Sequence, residues 1–395
     1  MLFRSPWAAV LGLTTVVTLL AVSGGARGRA AKLAAVAALG GYGALCVVAF
    51  GRWHLVLPMA APLGSAFTTS FLAVLWQLLA EERQKGRIKG MFGAYVSPQL
   101  VDRMVDSGED PRLGGHDAEI TAYFSDIQGF SSFSEKLGSG PLVELMNEYL
   151  TACTDIVQAQ GGTLDKYIGD AVVAMFGAPL ALPGHAHHAC LAALRSQARL
   201  AELRERWRAA GAWPEAVNAM QSRIGLNTGV AVVGNMGSRV RFNYTMMGDS
   251  VNLAARMESG AKHWGVHVMC TEATRAACEL HAPGRVVFRP LGRIVVKGRS
   301  EPVPIHEVFG EAGALPAGGA ECVATFTRGL ELYRARDWEG ARREFEAGAA
   351  LEPRVPGRTP GVKSNPSLVF LGLVERFARE APPEGWDGTH VMTEK

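Results

Sequence analysis

The sequence predicts an α+β chain. It has three membrane-spanning helices, a connecting helix, a βαββαβ domain and a short helical tail. Three observations predict this. Long apolar runs open the chain at 7–22, 30–50 and 55–79. Between about 118 and 310, a strand, a long helix, a hairpin, a second long helix and several Val- and Ile-rich strands follow one another. Beyond 310, small and aromatic residues recur at helical spacing. The division is therefore 1–79 anchor, 80–117 linker, 118–310 globular domain and 311–395 tail.

Composition sets the first bounds. The chain has 395 residues, 48% of them hydrophobic and 19% charged, and its mean hydropathy is positive. That suits membrane segments joined to one globular domain. A formal net charge of +3 gives no basis for a nucleic-acid partner. The six cysteines are scattered, which suggests neither a disulfide framework nor a zinc site and fits a reducing compartment.

The runs at 30–50 and 55–79 are long enough to span, since about 20 residues cross a bilayer. The first is shorter and reads alternatively as a signal peptide, with Arg4 before it and AVSGGA after it. Charge argues against cleavage. Arg27, Arg29 and Lys32 lie between the first and second runs, and Arg83, Lys85, Arg87 and Lys89 follow the third. Only Arg52 lies between the second and third. The positive-inside rule then predicts three spans in an inner membrane, with everything after Leu79 in the cytoplasm. Residues 80–104 continue as a polar helix, Pro98 opens a new one, and 107–117 is a linker.

The organising stretch is EITAYFSDIQGFSSF, 119–133. It reads as a buried strand that stops at Asp126, a turn at Gln128–Gly129 and a helix start. Asp126 reads either as a helix cap or as a carboxylate beside a phosphate cradle formed by the amides of Ile127 to Phe130, Gly129 included. In LDKYIGDAVVAMFGAP, 164–179, two apolar strands flank a tight turn at Gly169–Asp170. If this hairpin lies beside the first strand, Asp126 and Asp170 meet at one edge. Two carboxylates that would repel each other are a candidate site for two divalent cations. In FNYTMMGDSVNLAARME, 242–258, a strand ends at Met247 and a helix follows. Asn252 and Arg256 then share one helix face, while Val251, Leu253, Ala254 and Met257 pack. Asp249 reads as that helix's cap. HAHH at 185–188 reads as an exposed helix start, with no acid or Cys at metal-site spacing.

FSDIQGF, DKYIGDAVVAMFG and YTMMGDSVNLAARME, in this order, resemble the signature blocks of class III nucleotide cyclases. The resemblance covers roughly 95–309. It implies a ferredoxin-like sheet and an adenylate cyclase that makes 3′,5′-cyclic AMP and pyrophosphate from ATP with Mg²⁺ or Mn²⁺, two per site. Asp126, Asp170 and Ile127 correspond to the metal-binding positions. Asn252 corresponds to the residue that positions the ribose, and Arg256 to the one that stabilises charge on the α-phosphate. Lys166 matches the adenine-reading lysine, and Thr245 stands where many members carry Asp and a bacterial subgroup carries Thr. A Lys donor and a hydroxyl acceptor suit adenine. Lys297, in RIVVKGRSEPV, matches a triphosphate-binding lysine, and Arg239 is a second candidate for the same contact. Lys166 and Asp170 lie on one hairpin and cannot easily serve one small substrate from both ends. In the family the two sets act across a homodimer, and this chain carries both, which implies two equivalent shared sites. Guanylate cyclase and a catalytically inert nucleotide-binding module are the alternative readings.

Residues 322–352 resemble one tetratricopeptide-like helix pair, and 366–378 reads as a further helix. A single repeat cannot bury its own face. The pair is therefore expected to pack on the globular domain or on a neighbour.

Overall fold

The computed structural model describes residues 28–54, isolated positions between 56 and 76, and 113–238, 240–296 and 301–391. The chain separates into two units, 1–96 and 97–395. In the first, helix α1 is Gly28–Trp53.

The membrane expectation is corrected. Among the described residues no helix is long and apolar enough to cross a membrane. The first apolar run and most of the third lie outside the described residues. The second falls on α1, which carries Arg29, Lys32 and Arg52 and is built largely of Ala and Gly, with Gly40, Gly41 and Gly43 at its middle. Such small side chains offer little apolar surface per turn to offset the polar ones. The three-helix anchor, the membrane as a partner and the multi-pass inner-membrane location are therefore not supported. The expected linker helix also lies outside the described residues.

Among the described residues, the first element of the second unit is strand β1, Gly114–Ile127, which starts inside the stretch expected to be linker. A short helix α2, Phe130–Ser134, and a long helix α3, Ser139–Ala159, follow. The hairpin is β2, Thr163–Ile168, and β3, Ala171–Phe176. Helix α4, His185–Ala210, and the short α5, Glu215–Asn218, lead into β4, Ser222–Gly237. These strands run in the order β4-β1-β3-β2, each neighbour antiparallel, which is the expected βαββαβ ferredoxin-like arrangement.

Strand β1 explains why the sheet has two covered faces. Its alternate residues Ile120 and Ala122 pack with Val173, Met175, Val251 and Ala254, while Tyr123 packs with Ala174, Phe176 and the Ala-rich face of α4. A strand covered on both sides reads as a near-continuous apolar run, as ITAYF does.

Past β4 the chain extends the sheet. Strand β5, Phe242–Met247, pairs with the far end of β4. Helix α6, Asp249–Trp264, returns across β4 to β6, Val268–Thr271, which lies parallel to the start of β4. Gly225 permits this crossing. A Cβ there would stand 2.1 Å from the Glu258 amide and 2.3 Å from the Ala254 carbonyl oxygen. Helix α7, Glu272–His281, and strands β7, Val286–Val295, and β8, Val303–Glu311, complete this part.

The tail folds as α8, Gly319–Arg334, α9, Trp338–Leu351, and α10, Pro366–Arg379. It does pack on the globular domain. Phe326, Tyr333, Phe345 and Phe370, all fully buried, join Leu253, Met257 and Trp264 of α6 and Leu291 and Ile294 of β7 in one core. A last strand, β9, Thr389–Val391, adds in parallel to β7 at Arg293–Val295.

Candidate active site

Three elements converge at the turn end of the hairpin. Gly169, at φ +64°, makes the tight turn that an L side chain would strain, and it places Asp170 at the tip. Asp170 Oδ2 accepts the main-chain N–H of Ile127 at 2.9 Å. Asp126, next to Ile127, faces Arg223 in the β1–β4 register. Arg223 serves two acids. Its Nη2 is 3.6 Å from Asp126 Oδ2, and its Nε donates to Glu258 Oε1 at 3.1 Å.

Charge accumulates here. Burial first, then the Asp170 and Glu258 carboxylates, push Asp126 up to about 7, against the pull of Arg223. Glu258 is also raised, again mainly by burial. One guanidinium does not neutralise three acids. Among the described residues no group of three or more His, Cys, Asp or Glu side chains forms a metal cluster. What the chain offers is Asp126, Asp170 and the main-chain carbonyl of Ile127, all hard oxygen donors. That set, with its unbalanced negative charge, fits a divalent cation such as Mg²⁺ or Mn²⁺.

The expected amide cradle is only partly available. The Ile127 N–H is donated to Asp170, and the Gln128 N–H to the Gln221 carbonyl at 2.8 Å. Gly129, at φ +72°, is the N-cap of α2, and Phe130 starts that helix with its ring edge-on to Phe133.

A second cluster forms where β2 meets β5. Lys166 Nζ donates to Thr245 Oγ1 at 3.0 Å, although the two are 79 positions apart. The Thr245 hydroxyl in turn donates to Asp165 Oδ2 at 2.6 Å. The Asp165 side chain is 1% exposed, and burial raises its pKa. Sequence reasoning passed over Asp165. The only signal is an acid directly before Lys166; regular alternation would send the two to opposite faces, and both reach Thr245 where β2 is irregular between Leu164 and Lys166. Glu258 was missed as well, because nothing in an amphipathic helix marks which acid will meet a strand arginine.

Asn252 and Arg256 lie one turn apart on α6, Asn252 exposed and Arg256 half-buried. The N-cap is Gly248, without a side-chain cap, and Asp249 is the first helical residue rather than the expected cap. Lys297 and Arg239 lie outside the described residues. The histidines at 185–188 are not an exposed start. His185, His187 and His188 are all half-buried, and His185 Nδ1 pairs with Thr121 Oγ1 at 2.8 Å.

Residues 115–307 match the family model described as the adenylate and guanylate cyclase catalytic domain. The chain belongs to the class III nucleotide cyclases. Adenylate cyclase 1 of Rhizobium meliloti is 39% identical over 227 residues, which are 57% of this chain and 32% of that relative. The terminal-differentiation-specific adenylate cyclase of Dictyostelium discoideum is 30% identical, over 72% of this chain and 13% of the relative. This chain thus spans about a third or less of the length of these curated relatives. The crystal structure of the adenylyl cyclase CyaB from P. aeruginosa is 34% identical, over 50% of this chain and 96% of that one, with a TM-score of 0.44. In this chain the acid pair sits on β1 and the hairpin tip, and the Lys166–Thr245 pair on β2 and β5.

Proposed function

We propose that this chain is an adenylate cyclase that converts ATP to 3′,5′-cyclic AMP and pyrophosphate, in a homodimer with two shared sites. The observation that carries the reading is the meeting of Lys166 and Thr245 at 3.0 Å, on a different cluster from Asp126 and Asp170. A donor and a hydroxyl side by side suit one base edge, and a separate acid pair suits the phosphates. Relatives named adenylate cyclase support the same substrate.

In this reading Asp126, Asp170 and the Ile127 carbonyl of one protomer would hold two Mg²⁺ or Mn²⁺ ions. When bound, these cations supply the positive charge that lowers the pKa of the ribose 3′-hydroxyl and neutralises the phosphates. The partner contributes its base-reading pair and its α6. Lys166 and Thr245 bind adenine, and Asn252 orients the ribose. The 3′-oxygen bonds to the α-phosphorus as the bond to the β-bridging oxygen breaks. Arg256 stabilises the charge that develops on the α-phosphate. The 3′-hydroxyl proton passes to water or to a substrate phosphate. Lys297 and Arg239 are assigned to the triphosphate, and the Gly129 and Phe130 amides to its approach.

The test is to incubate the purified full chain with ATP and, separately, with GTP, each with Mg²⁺ or Mn²⁺, and to identify products by mass. Cyclic AMP is expected, and it should be absent from Asp126→Ala and Arg256→Ala. Cyclic GMP from the wild type would keep the mechanism and overturn the adenine assignment. Nucleotide binding without either product would favour an inert module.

A further inference from the structure

We infer that Asp165 is a positioning residue for base selection: it fixes the Thr245 hydroxyl as an acceptor, so that the site takes a 6-amino purine and rejects a 6-oxo purine. This rests on the adenylate cyclase reading of the same site.

A threonine hydroxyl has one proton and two lone pairs. In this structure the proton is committed. Thr245 Oγ1 donates to Asp165 Oδ2 at 2.6 Å, the shorter of its two side-chain bonds. One lone pair accepts from Lys166 Nζ at 3.0 Å. The one remaining valence of Oγ1 is a lone pair, and only a donor can satisfy it. The exocyclic amine of adenine is such a donor, whereas the 6-carbonyl of guanine would set acceptor against acceptor. Without the carboxylate, the same hydroxyl could rotate and serve either base.

Burial makes the lock firm. The Asp165 side chain is 1% exposed and Thr245 is 7% exposed, so water does not readily replace either partner. The second oxygen, Asp165 Oδ1, is buried without a hydrogen bond and lies 3.4 Å from Lys166 Nζ. That contact holds the carboxylate against the lysine and aims Oδ2 at the hydroxyl. A surface threonine could donate or accept at will, and Lys166 alone would not decide between the bases. The selectivity therefore resides in a residue that reads the base only through Thr245.

The test compares the wild-type full chain with Asp165→Ala and with the isosteric Asp165→Asn, whose amide can turn either its oxygen or its nitrogen to Thr245. Dissociation constants for ATP and for GTP are measured by competition with a fluorescent adenine nucleotide, beside product analysis by mass. The ratio of GTP to ATP dissociation constants should fall about ten- to a hundredfold in Asp165→Ala, the usual effect of one buried polar mismatch. It should fall less in Asp165→Asn. In a Thr245→Val background, Asp165→Ala should leave the ratio unchanged. Equal weakening of ATP and GTP binding would show a merely structural role and overturn the inference, as would a wild type that prefers GTP. If Asp165→Ala does not fold, Asp165→Asn still decides, because an unchanged ratio there overturns the inference. Absence of cyclic product from the wild type would defeat the cyclase reading, while the binding ratio would still score Asp165.

Discussion

The main-chain N–H of Ile127 donates to Oδ2 of Asp170 at 2.9 Å, and this bond holds the hairpin tip against the end of β1. It also brings two carboxylates together, which is costly without a cation. Asp126, raised to about 7, keeps a proton in the folded chain that the unfolded chain loses near pH 4. Folding stability should therefore fall as pH rises from about 4 to about 7. Mn²⁺ or Mg²⁺ should raise the melting temperature more at pH 8 than at pH 5.5. Asp126→Asn should raise it at pH 8 without cation and abolish the cation response. Asp126 is 35% exposed, so screening limits the gain to about 1 kcal/mol, or about 2–4 °C. A lower melting temperature for Asp126→Asn would mean that repulsion is not the dominant cost.

The shared-site reading makes a prediction that neither single variant can make. Asp126→Ala removes the acid half of both sites in a homodimer, and Arg256→Ala removes the other half. Each alone should be inactive, with turnover down by about a hundredfold or more. Co-expressed, half of the dimers are mixed, and each mixed dimer rebuilds one intact site. Activity should return to about a quarter of the wild type. Continued inactivity of mixed dimers, verified by tagging the two chains differently, would place both functions in one protomer.

Arg289 ties the tail to the sheet. It is 1% exposed on β7, donates to Glu307 of β8 at 2.7 Å and to Glu352, after α9, at 2.7 Å, and stacks near Phe309 and Phe326. Glu352 also accepts from the Ser367 amide and hydroxyl at the start of α10. Glu352→Ala leaves a guanidinium half-paired and two donors orphaned, so it should cost about 3–5 kcal/mol. Arg289→Met should cost more than Glu352→Ala, because it leaves two buried carboxylates, Glu307 and Glu352, facing each other without the cation they share. Denaturant unfolding of both variants checks the order, and equal losses would mean that packing rather than charge sets the cost.

Much of this was readable in the sequence, for identifiable reasons. The hairpin tip was legible because Gly–Asp between two apolar strands admits few turns. The limits of α4 were legible because Gly184 and Gly211 frame it at positive φ. The pairing of Lys166 with Thr245 was legible only through the family motifs, since no periodicity relates residues 79 apart. Asp165 and Glu258 were not legible, because their roles come from burial against partners on other elements. The apolar run at 30–50 misled because α1 is built largely of alanine and glycine, which count toward an apolar run while offering little surface to a bilayer. The strand expected from Ile120 starts earlier, at Gly114, since Gly114–Asp117 has the composition of a loop and is a strand only because β4 pairs with it.

Gly225 offers the sharpest test of how α6 is held. This helix carries Asn252 and Arg256, and it can lie on β4 only because position 225 has no side chain. A methyl group there would stand 2.1 Å and 2.3 Å from main-chain atoms of Glu258 and Ala254, which cannot swing aside as a side chain would. Gly225→Ala should therefore push the helix off the strand and cost at least about 1–3 kcal/mol. It should also separate Glu258 from Arg223, whose 3.1 Å contact spans the same crossing, and so alter the charge balance around Asp126. Gly211→Ala is the control: it replaces a positive-φ glycine with nothing within 4 Å of the added carbon. It should cost about 1 kcal/mol from backbone strain alone and leave turnover per folded molecule unchanged. If Gly225→Ala also kept full turnover per folded molecule, the seat of α6 would not govern the placement of Asn252 and Arg256.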